Sequence, residues 1–264
     1  MPDPGPPTTA TATLRPTADG GLAATVGAAE VRFTGRRGGV STGDFSSLNL
    51  GSWTGDDPPA VRENRTRLAA SAGVGRERLA QARQVHGTAV LVVADDDELP
   101  GADLERIREA DGVATALPAT PCVVLCADCL PVALVADGAV AMVHAGWRGL
   151  VGGVLEEGVA ALRAASSTVP ADGGRITAVV GPGAGPCCYE VGHEVHAALA
   201  PLGPSVRRGP NADLPEAARL RLRTAGVDEV VVAGVCTICA PERFFSHRRD
   251  AGRTGRQAGA AWLR

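Results

Sequence analysis

Apolar residues along this chain gather in short runs punctuated by Gly, Pro, Asp and Asn, the pattern of strands and compact helices joined by many turns. Cys122 to Ala127, Pro131 to Ala136 and Ala139 to His144 are continuous apolar runs, and Asp137-Gly138 between the last two is a strong hairpin signal. Val31 to Thr34, Arg83 to Val93, Ile176 to Val180 and Glu229 to Val235 also read as strands, with Gly87 as a bulge in the second. Helices are expected where capping residues and apolar spacing coincide. Asp57-Pro58-Pro59 offers a cap that accepts free amides and a proline suited to the first turn, and Gly73 ends that helix. Leu150, Val154, Val159 and Leu162 give partial helical spacing through about Ser166, and Glu194 to Leu202 and Pro215 to Ala225 read as two further helices. Strands and helices mix without strict βαβ alternation, so the expected fold class is α+β, with mixed β-sheets layered with helices. Residues 1–21, rich in Pro, Thr, Ala and Gly, read as a flexible tail, and residues 22–264 as a single domain.

Composition narrows the chemistry. All 26 basic residues among the 264 are arginine, which excludes Schiff-base catalysis, pyridoxal-phosphate anchoring and a lysine-bearing P-loop. Any bound phosphate must meet arginine or backbone amides. The net charge of −3 and the scarcity of aromatics speak against nucleic acid as a partner, leaving a small molecule. No apolar stretch is long enough to span a membrane and no secretory signal is visible, so the expected location is the cytoplasm. There the seven cysteines are expected as thiols or metal ligands rather than disulfides.

The hairpin permits a geometric deduction. A two-residue Asp137-Gly138 loop opposes Ala136 to Ala139 and therefore Pro131 to His144; Cys129, two residues before Pro131, shares that face. Diagonal neighbours of this kind lie about 7–8 Å apart at the backbone, a span that two side chains and a zinc ion can close. Cys126 falls on the other face of a regular strand. A buried thiol beside a core histidine remains the alternative on these residues alone.

Several segments carry a resemblance: Gln84-Val85-His86-Gly87, Ala127-Asp128-Cys129-Leu130-Pro131-Val132 and His144-Ala145-Gly146-Trp147-Arg148-Gly149, with Gly185-Pro186-Cys187-Cys188-Tyr189-Glu190-Val191-Gly192 and Phe244-Phe245-Ser246-His247-Arg248-Arg249 beyond them. Together they resemble the multicopper polyphenol oxidase, or laccase-domain, proteins, also described as purine nucleoside phosphorylases. The resemblance runs from about Phe33 to the carboxyl end and implies an α/β/β/α-like sandwich similar to cysteine-hydrolase-like toxins. It also implies a catalytic zinc held by His86, Cys129 and His144. Cys126 stands where the family usually has threonine and His247 where it has tyrosine, which leaves Cys126 as an alternative thiol ligand or redox partner.

Three protein ligands with a fourth position open is the catalytic pattern for zinc, whose bound water has a pKa of about 7. The implied reactions are phosphorolysis of adenosine, inosine, guanosine or methylthioadenosine to base and ribose 1-phosphate, and deamination of adenosine to inosine. Asp128 and Glu190 are the candidate proton-transfer carboxylates; Arg36, Arg148 and Arg248 are the candidate phosphate-binding cations. Two competing readings stand beside this one. Two histidines and a cysteine are also a blue-copper set, with Met142 on the His144 face as an axial candidate, although five histidines are few for a multicopper oxidase. Alternatively, Cys129 with His144 could hydrolyse an amide, including one in a peptidoglycan precursor. His193-Glu194-Val195-His196 is one residue too short for a zinc-protease motif, and Cys236-Thr-Ile-Cys239 reads as buried thiols rather than a redox pair.

Overall fold

A computed structural model describes residues 12–166 and 174–264. Its elements in chain order begin with β1 (Arg15–Pro16), β2 (Leu22–Val26), β3 (Ala29–Phe33), α1 (Pro58–Ser71), β4 (Ala80–Gln81), β5 (Leu91–Val93), β6 (Gly112–Thr115) and β7 (Cys122–Cys126). There follow β8 (Leu130–Ala136), β9 (Ala139–Ala145), α2 (Trp147–Gly152), α3 (Val154–Ala165) and β10 (Thr177–Val180). The chain closes with α4 (His193–Leu199), β11 (Arg207–Arg208), β12 (Asn211–Ala212), α5 (Leu214–Thr224), β13 (Glu229–Val232) and β14 (Gln257–Leu263).

Two mixed sheets stack face to face, one ordered β1-β2-β3-β14-β7-β4 and the other β13-β10-β8-β9-β6-β5. Alternation within each strand explains the layering. In β8 and β9, Leu130, Val132, Leu134, Ala141 and Val143 pack against α3 and α5, whereas Ala133, Val135, Val140 and Met142 face the first sheet. The first sheet turns Val31, Phe33, Cys122 and Val124 inward and packs Val123, Ala258 and Ala260 on its other side, where Leu68 of α1 lies. The result is the expected single-domain sandwich of helix, sheet, sheet and helices. The sheets approach closely at Gly259, where a Cβ would lie 2.5 Å from Pro131 Cβ and 2.9 Å from Met142 Sδ.

The β8–β9 hairpin has the expected register, with Ala136 opposite Ala139 and Pro131 opposite His144. Asp57 caps α1 through the Ala60 amide at 3.2 Å. Other expectations need correction. The segment read as one strand from Arg83 to Val93 is instead the crossing that follows β4 of the first sheet and joins the second only at β5, with His86 in the left-handed region (φ 60°) on the way. The helix expected after Gly149 through about Ser166 begins earlier, at Trp147, and breaks at Gly153, whose φ of 102° separates α2 from α3. Of the expected tail, residues 1–11 lie outside the described residues. Beyond them, Arg15–Pro16 pairs with β2, and Asp19, 7% exposed, accepts from Arg32 Nη2 at 3.1 Å and the Gly21 amide at 3.1 Å. No helix among the described residues is long and apolar enough to cross a membrane.

Candidate functional site

Two chain crossings and one strand end build the site. The β4–β5 crossing carries His86, the β7–β8 crossing carries Cys129, and His144 is the next-to-last residue of β9. Their ligand atoms lie within 4.8 Å of one another. The imidazole rings of His86 and His144 meet edge to face, 4.9 Å between centroids. A Cβ at Gly146 would lie 3.0 Å from Cys129 Sγ and 3.4 Å from His86 Cδ2, so a side chain at this position would press directly on two members of the cluster.

Asp111 organises the cluster from behind. It is wholly buried, and its carboxylate accepts from the amides of Val85 (3.2 Å), His86 (2.9 Å) and Gly87 (2.6 Å). It also holds His144 Nδ1 at 2.8 Å, which leaves Nε2 for the cluster. One acid thus shapes the His86 loop and orients the His144 ring. Gln84 locks the same loop to β7, its amide donating to Leu125 O at 2.8 Å and accepting from Leu125 N at 2.7 Å.

The electrostatics follow from these contacts. Burial pushes the Cys129 thiol up, but the facing His144 charge and hydrogen bonds from His144 and His86 outweigh it and bring the thiol down to about 6. Burial alone would lower His144, yet Cys129 and the Asp111 hydrogen bond raise it to about 9. Desolvation opposes ionisation of Asp111, whose carboxyl is nevertheless held below the usual range by His144 and by the Gly87 and Val85 amides. Without a metal these opposed shifts favour a Cys129 thiolate facing a His144 imidazolium.

The cluster opens into a cavity of about 810 Å³, also lined by Trp53, Arg83, Gln84, Glu109, His247 and Arg256. Arg83 and Arg256 are its cations, and Trp53, 64% exposed, is an aromatic plate in its wall.

The other residues singled out from sequence lie elsewhere. Asp128, at φ 92°, spends its carboxylate on Thr237 Oγ1 (2.7 Å), Ser246 Oγ (3.0 Å) and the Arg248 amide (2.7 Å), so it braces the turn before Cys129 instead of facing the cavity. Glu190 and Arg248 line a separate depression with Trp147 and Tyr189, where Arg248 Nη1 donates to Glu190 O at 2.6 Å. Arg36 is consumed by Ser46 O and Pro241 O, both at 2.9 Å, and lies over the Phe245 ring. Arg148 stacks on Trp147. Met142 points its sulfur at Gly259 in the inter-sheet core, which removes it as an axial ligand. Cys126 is buried between the sheets, its thiol raised by burial and outside the cluster. His196 Nε2 contacts Pro210 O at 3.1 Å and belongs to no metal-type grouping among the described residues.

Sequence reasoning missed Asp111, Arg83, Glu109 and Arg256. Only Asp111 carried a signal, an acid at the mouth of the apolar strand β6.

The layered α+β sandwich with a His-Cys-His cluster at one end of its sheets defines a class of metal-site proteins. Residues 30–264 match the family described as multi-copper polyphenol oxidoreductase laccase, and the chain belongs to that family. Among its relatives is a purine nucleoside phosphorylase of Xylella fastidiosa, 44% identical over 242 residues, covering 85% of this chain and 88% of that one. The purine nucleoside phosphorylase YfiH of Escherichia coli is 40% identical over 237 residues, covering 86% and 91%. The crystal structure of YlmD from Geobacillus stearothermophilus superposes with a TM-score of 0.85 at 34% identity, covering 95% of this chain and 98% of that one.

Proposed function

We propose that this chain is a zinc-dependent purine nucleoside enzyme that cleaves adenosine, inosine, guanosine or methylthioadenosine with phosphate and also deaminates adenosine. The observation that carries the reading is the convergence of His86, Cys129 and His144 on one point beneath the cavity. Two imidazoles and a thiolate, with no fourth metal-type donor grouped with them among the described residues, suit a divalent metal of zinc type with a position left for a ligand. A metal held there supplies a Lewis acid at the cavity floor.

The chain's own residues supply the rest. A cavity of about 810 Å³ has room for a nucleoside and phosphate. Trp53 offers a face for the purine, and Arg83 and Arg256 offer the anion site that a lysine-free chain requires. In phosphorolysis a phosphate oxygen bonds to C1′ of the ribose as the bond from C1′ to the purine nitrogen breaks, and the departing base takes a proton. Glu109 is the acid in the wall, 3.2 Å from Arg83, and replaces Asp128 and Glu190 as the candidate for moving protons. The test is zinc-loaded protein with adenosine, with and without phosphate. Adenine and ribose 1-phosphate should appear only with phosphate, and inosine in both; absence of all three products from a protein carrying its metal refutes the reading.

A second reading draws on the Asp111–His144–Cys129 chain, which has the arrangement of a cysteine nucleophile with an oriented base. Amide hydrolysis that survives chelation would favour it. The copper reading gains no support from histidine placement, since only His86 and His144 join a metal-type group among the described residues.

A further inference from the structure

We propose that Cys187, Cys188, Cys236 and Cys239 form a second metal site, in which one zinc ion is held by four thiolates. Their sulfurs all lie within 4.8 Å of one another, with Cys239 Sγ 3.0 Å from Cys188 Sγ and 3.5 Å from Cys187 Sγ. Four zinc–sulfur bonds of about 2.3 Å in a tetrahedron set the sulfurs roughly 3.8 Å apart. Small side-chain rotations therefore accommodate the ion.

The backbone is arranged for this. β10 and β13 are parallel neighbours, so the loops that follow them leave the sheet at the same end, one carrying Cys187-Cys188 and the other Cys236-Thr-Ile-Cys239. The loops are bridged where Gly183 pairs with Cys236 and the Thr237 amide donates to Gly183 O at 2.9 Å. Two amides are aimed at Cys236 Sγ, that of Gly185 at 3.3 Å and that of Cys239, folded back from the end of its own Cys-x-x-Cys turn. Amide donors of this kind stabilise a coordinated thiolate. The sequence expectation of buried thiols fails here, because Cys187 and Cys239 are exposed and reachable by a metal from solvent.

This cluster is separate from the catalytic cavity, which none of the four cysteines lines. Four thiolates fill a tetrahedral shell and leave no position for substrate, so the site is structural. Thr237, inside the Cys-x-x-Cys turn, donates to Asp128 at 2.7 Å, and Asp128 precedes Cys129. The clip thus braces the crossing that presents the Cys129 thiol.

The test is metal content after loading with zinc under reducing conditions and gel filtration. Wild type should hold two equivalents, Cys129→Ala one, and Cys236→Ala/Cys239→Ala one. Cobalt-loaded Cys129→Ala should show the sulfur-to-metal charge-transfer and tetrahedral ligand-field bands of a tetrathiolate site, and the double variant should not. Because Cys129→Ala leaves all four cysteines in place, the proposal stands or falls on that variant even if the double variant does not fold. A metal-free Cys129→Ala, or a peptide map showing Cys188 disulfide-bonded to Cys239 in protein prepared with reductant and zinc, overturns it. These outcomes are independent of whether the enzyme cleaves nucleosides.

Discussion

Replacing Asp111 with asparagine isolates the part of the site that holds no metal itself. The side chain keeps its volume but loses one acceptor oxygen and its charge. Asp111 serves four donors, three consecutive amides and His144 Nδ1, through two carboxylate oxygens. Asparagine can satisfy one oxygen's share and turns an NH2 group towards the other two donors. Two buried donors left unpaired at about 1–3 kcal/mol each give a loss on the order of 4 kcal/mol. At roughly 2–4 °C per kcal/mol for a chain of this size, Tm should fall by on the order of 10 °C. The metal effect is separate from the stability effect. The His86 loop is held with φ at 60° by the lost contacts, and the His144 ring loses its orienting partner. Removing such a supporting group typically weakens metal binding about 10- to 100-fold.

The assay is zinc competition against a chromophoric chelator, run well below the variant's Tm, beside thermal melts with and without zinc. The combination expected is a lower Tm and a weaker zinc affinity. An Asn variant whose zinc affinity stays within about twofold of wild type, under roughly 0.4 kcal/mol, would refute the positioning role whatever its Tm.

Gly146→Ala should lower zinc affinity at the catalytic cluster with little change in secondary structure, since its Cβ would lie 3.0 Å from Cys129 Sγ; titration calorimetry reads this. In metal-free protein, alkylation of Cys129 should reach half its maximal rate near pH 6, where its thiol ionises, rather than near 9. Peptide mapping against pH checks this, and a profile rising through pH 9 contradicts the thiolate–imidazolium pair. Asp111 adds an acid-side effect. Its folded carboxyl is held below the unfolded value of about 3.9, so its stabilisation is present above that pH and is lost as pH falls through the lowered value. Acid melts of wild type should therefore be steeper than those of Asp111→Asn. Arg256→Ala should raise KM for phosphate by about tenfold or more, as expected for one charged hydrogen bond of roughly 1.5–3 kcal/mol; an unchanged phosphate KM removes Arg256 from the anion site.

What the residue pattern discloses divides along a physical line. The β8–β9 register is legible because Asp137-Gly138 fixes it locally, and the capped start of α1 is legible for the same reason. Cys129 is selected by alternation from that hairpin, yet it sits just before β8, after Asp128 at φ 92°, and reaches His144 because the chain crosses between sheets there. Cys126 is excluded because it belongs to the other sheet, not because it points to the other face of the same strand. The strand expected through His86 fails similarly: of Arg83 to Val93 only Leu91–Val93 joins a sheet, and the chain arrives there from β4 in the other sheet with only an isolated Arg83–Glu109 bridge on the way.

The crossings are where the candidate side chains collect, and this explains both what is hidden from the residue pattern and how the cluster is held together. A segment leaving one sheet for another gives up ladder hydrogen bonds, so its amides need other acceptors. Asp111 supplies them for Val85, His86 and Gly87, and Asp128 takes the Arg248 amide and the Thr237 and Ser246 hydroxyls beside the second crossing. Both acids act over long sequence separations, so neither role has a local signature, and an acid such as Asp128 next to a ligand cysteine reads from sequence as catalytic. The same two acids leave His86 and Cys129 free of backbone duties and facing His144 across the end of the sandwich. In this fold the buried carboxylates are the means by which irregular backbone is held to present the His-Cys-His cluster, and the groups that line the cavity lie on the cluster's other side.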